Sequence, residues 1–289
     1  MSLSIIGGDL RIIRLAQMYA NEGKTVYVYG LEKYFKKYNI IDNNIIMCKN
    51  IEEIINLSKY ILSSIPCLSD SKYINTPYTD EKIEFNQVIE KINKTNDEKY
   101  FIAGKIPKNL NNEKIHFIDL LENEEFNILN SIPTVEGTLK ILIQEREETI
   151  HESNILVCGY GRIGKILCDR LKKLGANVFC SARKEYDFAW IREKGYIPLK
   201  YEEIKEYGKR LDVIINTVPE VIIDKEKLDS LYKDILIIDL ASNPGGIDKE
   251  YAKKKNIRVI TALGIPGKEM PQAAGRYIKE IIDKLIKEN

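Results

Sequence analysis

The chain has 289 residues, with 44 lysines and arginines against 43 aspartates and glutamates, a net charge of +1 and 44% hydrophobic residues. That balance excludes a general electrostatic attraction to nucleic acid or to an anionic membrane surface. The length suits one large or two moderate α/β domains, no apolar run reaches membrane-spanning length, and the opening Met1-Ser2-Leu3-Ser4-Ile5-Ile6-Gly7 lacks a secretory pattern, so a cytoplasmic location is expected.

Leu3-Ser4-Ile5-Ile6 reads as a first strand and Gly7-Gly8-Asp9 as a glycine turn. Ile12, Ile13, Leu15, Ala16 and Tyr19 then form the apolar side of a helix, and Val26-Tyr27-Val28-Tyr29 is the next strand. The turn is not the dinucleotide pattern. It is either a plain turn of a flavodoxin-like domain or the point where Asp9 and Arg11, at the carboxyl end of the first strand, face an interdomain cleft. Strands follow at 45–47, 59–64, 100–103 and 116–118, with helices near 52–57 and 85–92. Residues 67–84 are polar and aperiodic and read as a long loop. Lys105 follows a strand end and points to the ligand side of a parallel sheet. These elements make residues 1–130 a flavodoxin-like domain for substrate or partner.

The boundary falls at Asn130-Ser131-Ile132-Pro133. Pro133 suits a first helical turn, Thr134 suits a cap, and Val135, Leu139, Leu142 and Ile143 form an apolar stripe, so a long helix is expected to link the domains. If its first turn faces ligand, Thr134 and Glu136 are candidates for substrate contact.

The most informative stretch is Ile155-Leu156-Val157-Cys158 breaking into Gly159-Tyr160-Gly161-Arg162-Ile163-Gly164, followed by the helical pattern Ile166, Leu167, Leu171, Leu174. Strand, tight turn and helix in that order give the glycine spacing its meaning. Gly159 permits the turn, Gly161 admits a pyrophosphate to the backbone, and Gly164 lets helix and strand pack closely. The helix start offers free N–H groups and a positive dipole. The next strand, Asn177 onward, ends in Ser181, Arg183 and Lys184 where a carboxylate for the ribose of NAD is expected. A hydroxyl and two cations suit a 2′-phosphate, which favours NADP over NAD.

Three later apolar runs end in polar turns: Asn216-Thr217-Val218-Pro219, then Ser242-Asn243-Pro244-Gly245-Gly246, then Gly264-Ile265-Pro266-Gly267. Strand ends of a doubly wound sheet line the nicotinamide half of the site, so Asn216, Thr217, Val218, Pro219, Ser242, Gly264 and Pro266 are candidates there. The last helix, about 270–287, carries Ala274, Ile278, Ile281, Ile282 and Leu285 on one side and is expected to pack back on the first domain, with Arg276 near the cleft. Residues 131–289 thus read as a Rossmann NADP-binding domain.

Cys48, Cys67, Cys158, Cys168 and Cys180 are odd in number and lack CxxC spacing, so neither disulfides nor a metal site is indicated. His116 and His151 are the only histidines, and neither lies where a ligand is expected.

Taken together, Gly7-Gly8-Asp9 with Arg11, Asn130-Ser131-Ile132-Pro133-Thr134-Val135-Glu136-Gly137, Ala182-Arg183, Ile215-Asn216-Thr217-Val218-Pro219, Asp239-Leu240-Ala241-Ser242-Asn243-Pro244-Gly245-Gly246 and Gly264-Ile265-Pro266-Gly267-Lys268 resemble the A-subunit family of dipicolinate synthase. The resemblance is loose over 31–128 and tight from Asn130 onward, and Tyr160 stands where that family usually has Leu or similar. It implies an enzyme of endospore formation, made in the mother cell, that oxidises a dihydrodipicolinate-level intermediate of the lysine pathway to dipicolinate and is partnered by the synthase's B-subunit.

For that chemistry Arg11, Lys105 and Arg276 are the carboxylate-binding candidates, Asn216 and Ser242 are placed to orient ring or substrate, and Asp9 or Glu136 is the candidate proton acceptor. A homo-oligomer is compatible with the sequence. The alternatives are a 2-hydroxy acid or amino acid dehydrogenase, which commonly relies on a histidine–acid pair, and a non-catalytic NADP-binding regulatory protein.

Overall fold

The structure is a computed structural model that describes residues 2–108, 110 and 112–288. It forms two compact units, Met1–Asn130 with Pro266–Asn289, and Ser131–Ile265.

The first unit runs β1 (Leu3–Ile6), α1 (Leu10–Asn21), β2 (Val26–Tyr29), α2 (Glu32–Lys37), β3 (Ile45–Met47), α3 (Ile51–Asn56), β4 (Tyr60–Ser63), α4 (Phe85–Asn93), β5 (Lys99–Ala103) and β6 (Ile115–Asp119). All neighbouring strands are parallel, in the order β3-β2-β1-β4-β5-β6. Because successive side chains alternate across a strand, Leu3, Ile5 and Leu62 enter the core shared with α1, while Ile6, Ile61 and Phe101 enter the core shared with α3 and α4. A sheet covered on both sides explains why these strands read as unbroken apolar runs rather than alternating ones. A flavodoxin-like sheet has the order 2-1-3-4-5. Here β3 adds beyond β2, with Ile45 buried and Ile46 and Met47 exposed at the edge, and this one added strand makes the order 3-2-1-4-5-6.

The loop over 67–84 contains no helix, yet it is folded on itself. Leu68 bridges Ile74 and Tyr73 bridges Glu84, both antiparallel, and Ile74 and Ile83 are buried.

Next, α5 (Glu124–Gln144) corrects the expected helix start at Pro133: the helix is unbroken, with Pro133 inside it. Proline removes one N–H, the donor to the carbonyl four residues earlier. The turns on either side are held by burial of Phe126 in the first unit's core and of Val135 and Leu142 in the second's, which carries the helix through. Thr134 is therefore not a cap. It is buried mid-helix, and its carbonyl accepts a 2.7 Å hydrogen bond from the Thr138 hydroxyl.

The second unit continues with β7 (Asn154–Cys158), α6 (Arg162–Lys173), β8 (Asn177–Ser181), α7 (Glu185–Glu193), β9 (Ile197–Pro198), α8 (Ile204–Tyr207), β10 (Val213–Asn216), α9 (Lys225–Ser230), β11 (Leu236–Asp239), α10 (Lys249–Lys254) and β12 (Arg258–Thr261). The sheet order is β12-β11-β10-β7-β8-β9, again all parallel. Counted within the unit this is 3-2-1-4-5-6 in the sense of a dinucleotide-binding sheet, which puts the switch point between β7 and β10.

The short α11 (Ile265–Lys268) and the long α12 (Pro271–Glu288) end the chain, and the segment from Pro266 groups with the first unit. Ile278, Ile281 and Ile282 join the core containing Ile12, Leu15, Ala16 and Tyr19. Gly275 permits this packing, since a Cβ there would lie 2.6 Å from the Arg11 carbonyl oxygen. Polar groups fix the register. The Tyr19 hydroxyl donates to Asp283 at 2.9 Å, and the Lys279 ammonium pairs with Asp283 at 2.6 Å and Glu22 at 2.8 Å.

Candidate functional site

At the end of β7 the three glycines do three different things. Gly159 has φ +99°, a conformation that strongly favours glycine, and a Cβ there would collide with the Thr217 hydroxyl. That hydroxyl donates to the Cys158 carbonyl at 2.8 Å, as the Thr217 N–H does at 3.0 Å, so the turn is tied to the end of β10. Gly164 faces the carbonyl oxygen of Gly159, and a Cβ would overlap it. Gly161 is different: a Cβ there would meet no protein atom within 4 Å. Packing explains the first and third glycines, and the second faces open space. Gly161 is also the N-cap of α6, and among the described residues no side chain caps that helix. An open backbone cradle at the start of a 12-residue helix fits a pyrophosphate.

The cradle opens into a pocket of roughly 850 Å³ lined by residues of this unit. Gly159, Tyr160, Gly161 and Arg162 form one side, Arg183 and Lys184 another, and Val218 and Pro219 a third. The cations Arg162, Lys165, Arg183 and Lys184 outnumber the acids Asp187, Glu202 and Glu220. The Lys184 ammonium donates to the Tyr186 hydroxyl at 2.9 Å, an interaction that raises the lysine above its ordinary pKa. Burial pushes the Tyr201 hydroxyl up to about 12, with Arg183 acting against the rise and Glu220 adding to it. Ile163 packs against the core beside the turn. Ser181, expected at the ribose, is fully buried at the end of β8 and does not line this pocket, and Gly264 and Pro266 do not line it either.

Asn216 is also corrected. It is fully buried, its Nδ2 donates to the Val218 carbonyl at 2.9 Å and to Asp239 Oδ1 at 2.8 Å, and its Oδ1 accepts from the Val218 N–H at 3.1 Å. Both amide N–H groups are engaged inside the protein, so the side chain holds the loop. The residue that sequence reasoning passed over is its partner. Asp239 ends β11 directly opposite Asn216 and is fully buried, with the Lys249 ammonium 3.2 Å away. An acid closing an apolar run was the available signal, but the same residue could equally have opened the following loop.

On the first unit, Asp9 caps α1 by accepting from the Arg11 N–H at 3.0 Å, and its carboxylate also takes Arg11 Nε at 3.0 Å and Nη2 at 2.7 Å. Arg11 Nη2 also donates to the Ile65 carbonyl. Arg11 is largely buried, which leaves Nη1 as the guanidinium edge without a protein hydrogen bond among the described residues. The backbone of Gly267 lies over this pair, and a Cβ there would sit 2.6 Å from Asp9 Oδ2. Lys105 is exposed at φ +56°, its N–H donating to Asp119 at 2.9 Å and its ammonium unpaired among the described residues. Arg276 is exposed on α12 over the Tyr277 ring, at 5.2 Å from the centroid.

On the second unit, Glu136 and Ser242 are exposed, and the Ser242 carbonyl accepts from the Gly245 N–H at 2.8 Å. His116 stacks on Tyr100 at 4.7 Å and His151 is exposed; neither lines the pocket. Among the described residues no helix is long and apolar enough to cross a membrane, and no group of three or more His, Cys, Asp or Glu side chains could hold a metal ion.

Comparison with known proteins adds the following. Residues 2–120 match the N-terminal domain of the dipicolinate synthase A-subunit, and residues 141–262 match the shikimate/quinate 5-dehydrogenase family. The dipicolinate synthase A-subunit of Bacillus subtilis (strain 168) is 31% identical over 293 residues, covering 100% of this chain and 96% of that protein. The crystal structure of the A chain of dipicolinate synthase from Bacillus subtilis superposes with a TM-score of 0.83 at 30% identity, over 100% of this chain and 96% of that one. The A-subunit from Bacillus halodurans gives a TM-score of 0.83 at 28% identity, over 98% and 97%. A transhydrogenase from Sinorhizobium meliloti, at TM-score 0.63 and 13% identity over 98% and 94%, shares the fold.

Proposed function

Since the chain belongs to the A-subunit family of dipicolinate synthase, we propose that it oxidises a dihydrodipicolinate-level intermediate to dipicolinate with NADP, in the mother cell of a sporulating bacterium and partnered by the synthase's B-subunit. The observation that carries the cofactor reading is the space at Gly161: a glycine that no packing requires, at an uncapped helix start, in a pocket with Arg183 and Lys184.

Converting a dihydropyridine dicarboxylate to the aromatic pyridine removes one hydride and one proton. NADP, when bound, supplies the hydride acceptor. The chain's residues then have three tasks. The backbone from Gly159 to Gly164 holds the pyrophosphate, Arg183 and Lys184 hold the 2′-phosphate, and Val218 and Pro219 wall the pocket. Two carboxylates of the substrate need fixed cations, and the candidates are the free edge of Arg11, the ammonium of Lys105 and Arg276. With Arg11 Nε and Nη2 committed to Asp9 and Ile65, that guanidinium offers a carboxylate one edge rather than its full fork.

The proton has an undemanding route. The Asp9 carboxylate is occupied by three N–H groups of Arg11, whereas Glu136 is exposed, and Glu136 or solvent takes the proton. Aromatisation supplies the driving force, so alignment and charge matching carry the catalysis without a histidine.

The cofactor choice is tested by titrating the protein with NADP and NAD. NADP is expected to bind more tightly, and Arg183→Ala and Lys184→Ala are each expected to weaken NADP about tenfold while leaving NAD nearly unchanged. Tighter binding of NAD by the unaltered protein would overturn the choice.

A further inference from the structure

Asp239 lies outside the pocket and carries none of the roles assigned above, yet it is a fully buried carboxylate with an unusual set of donors. Asn216 Nδ2 donates to Oδ1 at 2.8 Å, the Ala241 N–H to Oδ1 at 3.3 Å, and the Gly246 N–H to both oxygens at 3.4 Å. The half-exposed Lys249 supplies the countercharge. Burying a carboxylate is costly unless it is paired and hydrogen-bonded, and here the partners come from two separate loops. What it organises is visible on both sides. Through Asn216, which grips Val218 by both its carbonyl and its N–H, Asp239 reaches the pocket wall. Through Gly246 it reaches the loop after β11. The two glycines of that loop are needed for it to close on the pair: a Cβ on Gly245 would lie 2.6 Å from Asp239 Oδ2, and one on Gly246 would collide with the Asn216 amide.

We infer that Asp239 is a positioning residue that, acting through Asn216, sets the Val218–Pro219 wall of the dinucleotide pocket and couples it to the Ser242–Gly246 loop. Its effect on ligand rests on the cofactor reading given above; its effect on the loops does not.

Two measurements separate these. Amide exchange on the ligand-free chain reads the clamp directly, since the Val218 N–H is bonded to Asn216 and the Gly246 N–H to Asp239. Asp239→Asn is expected to speed exchange at both about tenfold with the strand amides of β7 and β8 unchanged. Cofactor titration reads the consequence: NADP and NAD are expected to weaken together, about tenfold, because the Arg183 and Lys184 end is untouched. Asn216→Ser keeps Asp239's bonds to Ala241, Gly246 and Lys249 and cuts the links that the Asn216 amide makes to Asp239 and to Val218. It therefore serves if Asp239→Asn does not fold, and it is expected to loosen Val218 and weaken both cofactors. Unchanged exchange in a folded Asp239→Asn or Asn216→Ser protein would overturn the clamp. Loosened loops in a chain that binds neither dinucleotide would leave the clamp standing and remove the cofactor reading instead.

Discussion

Gly161 and Gly164 stand three positions apart and are expected to respond oppositely to the same substitution. Gly164→Ala places a methyl group against the Gly159 carbonyl, which cannot move without the turn, so a loss of about 2–4 kcal/mol of stability is expected in denaturant unfolding. Gly161→Ala meets no described protein atom, so its stability is expected to fall by no more than about 1 kcal/mol, the N-cap preference for glycine over alanine, while NADP affinity falls at least tenfold. Equal stability losses in the two variants would show that the space at Gly161 does not belong to a ligand. The spacing of these glycines was legible in the sequence because each job depends only on the chain nearby. The positions of Ser181 and Asn216 were not, because a side chain at a strand end points into the protein or out of it according to strand alternation and sheet register. Asp239 was illegible for a related reason: its meaning lies in Asn216, 23 residues earlier, and in Gly246, 7 residues later.

The strands and most helices could be read from hydrophobic patterning, since parallel strands buried on both faces stand out as short apolar runs. What patterning misjudged was α5, because proline was read as a helix start when tertiary burial on both sides carried the helix through it. The packing of α12 on α1 gives the element-scale prediction. Ile278→Ala removes a fully buried side chain and is expected to cost about 2–4 kcal/mol, with Tyr19→Phe costing about 1 kcal/mol through the lost hydrogen bond to Asp283. Burial first, and then Asp283, raise the Tyr19 phenol well above its ordinary pKa. A group raised in the folded state contributes stability that is fully present below its unfolded value, about 10, and is lost as pH rises through the folded one. Unfolding measured across that alkaline range is expected to lose one pH-dependent component in Tyr19→Phe.

Across the whole molecule, the two units share the strand order 3-2-1-4-5-6 but use the first turn differently. In the second unit the turn is open at Gly161. In the first, Gly7 and Gly8 have φ +69° and +111°, and the space a side chain would take is filled by the loop over 67–84: Thr76 Cγ2 lies 2.6 Å from a Cβ on Gly7, and Gly8 N–H donates to the Asn75 carbonyl at 3.0 Å. One dinucleotide per chain is therefore the expected calorimetric stoichiometry, and two would show that the loop does not close the first turn. The five cysteines are all buried, and burial pushes Cys48 up to about 11 and Cys67 and Cys158 up to about 12. The native chain is expected to show no thiol reactive towards a disulfide reagent near pH 8, and all five after denaturation.

The most direct measurement supplies freshly generated dihydrodipicolinate and NADP to the chain, with and without the B-subunit, and follows NADPH and dipicolinate together by absorbance. Equal amounts of the two products are the expected result, and the mixture in which they form shows whether this chain suffices. NADP binding with neither product in either mixture would contradict the proposed oxidation and leave a nucleotide-binding protein without that activity.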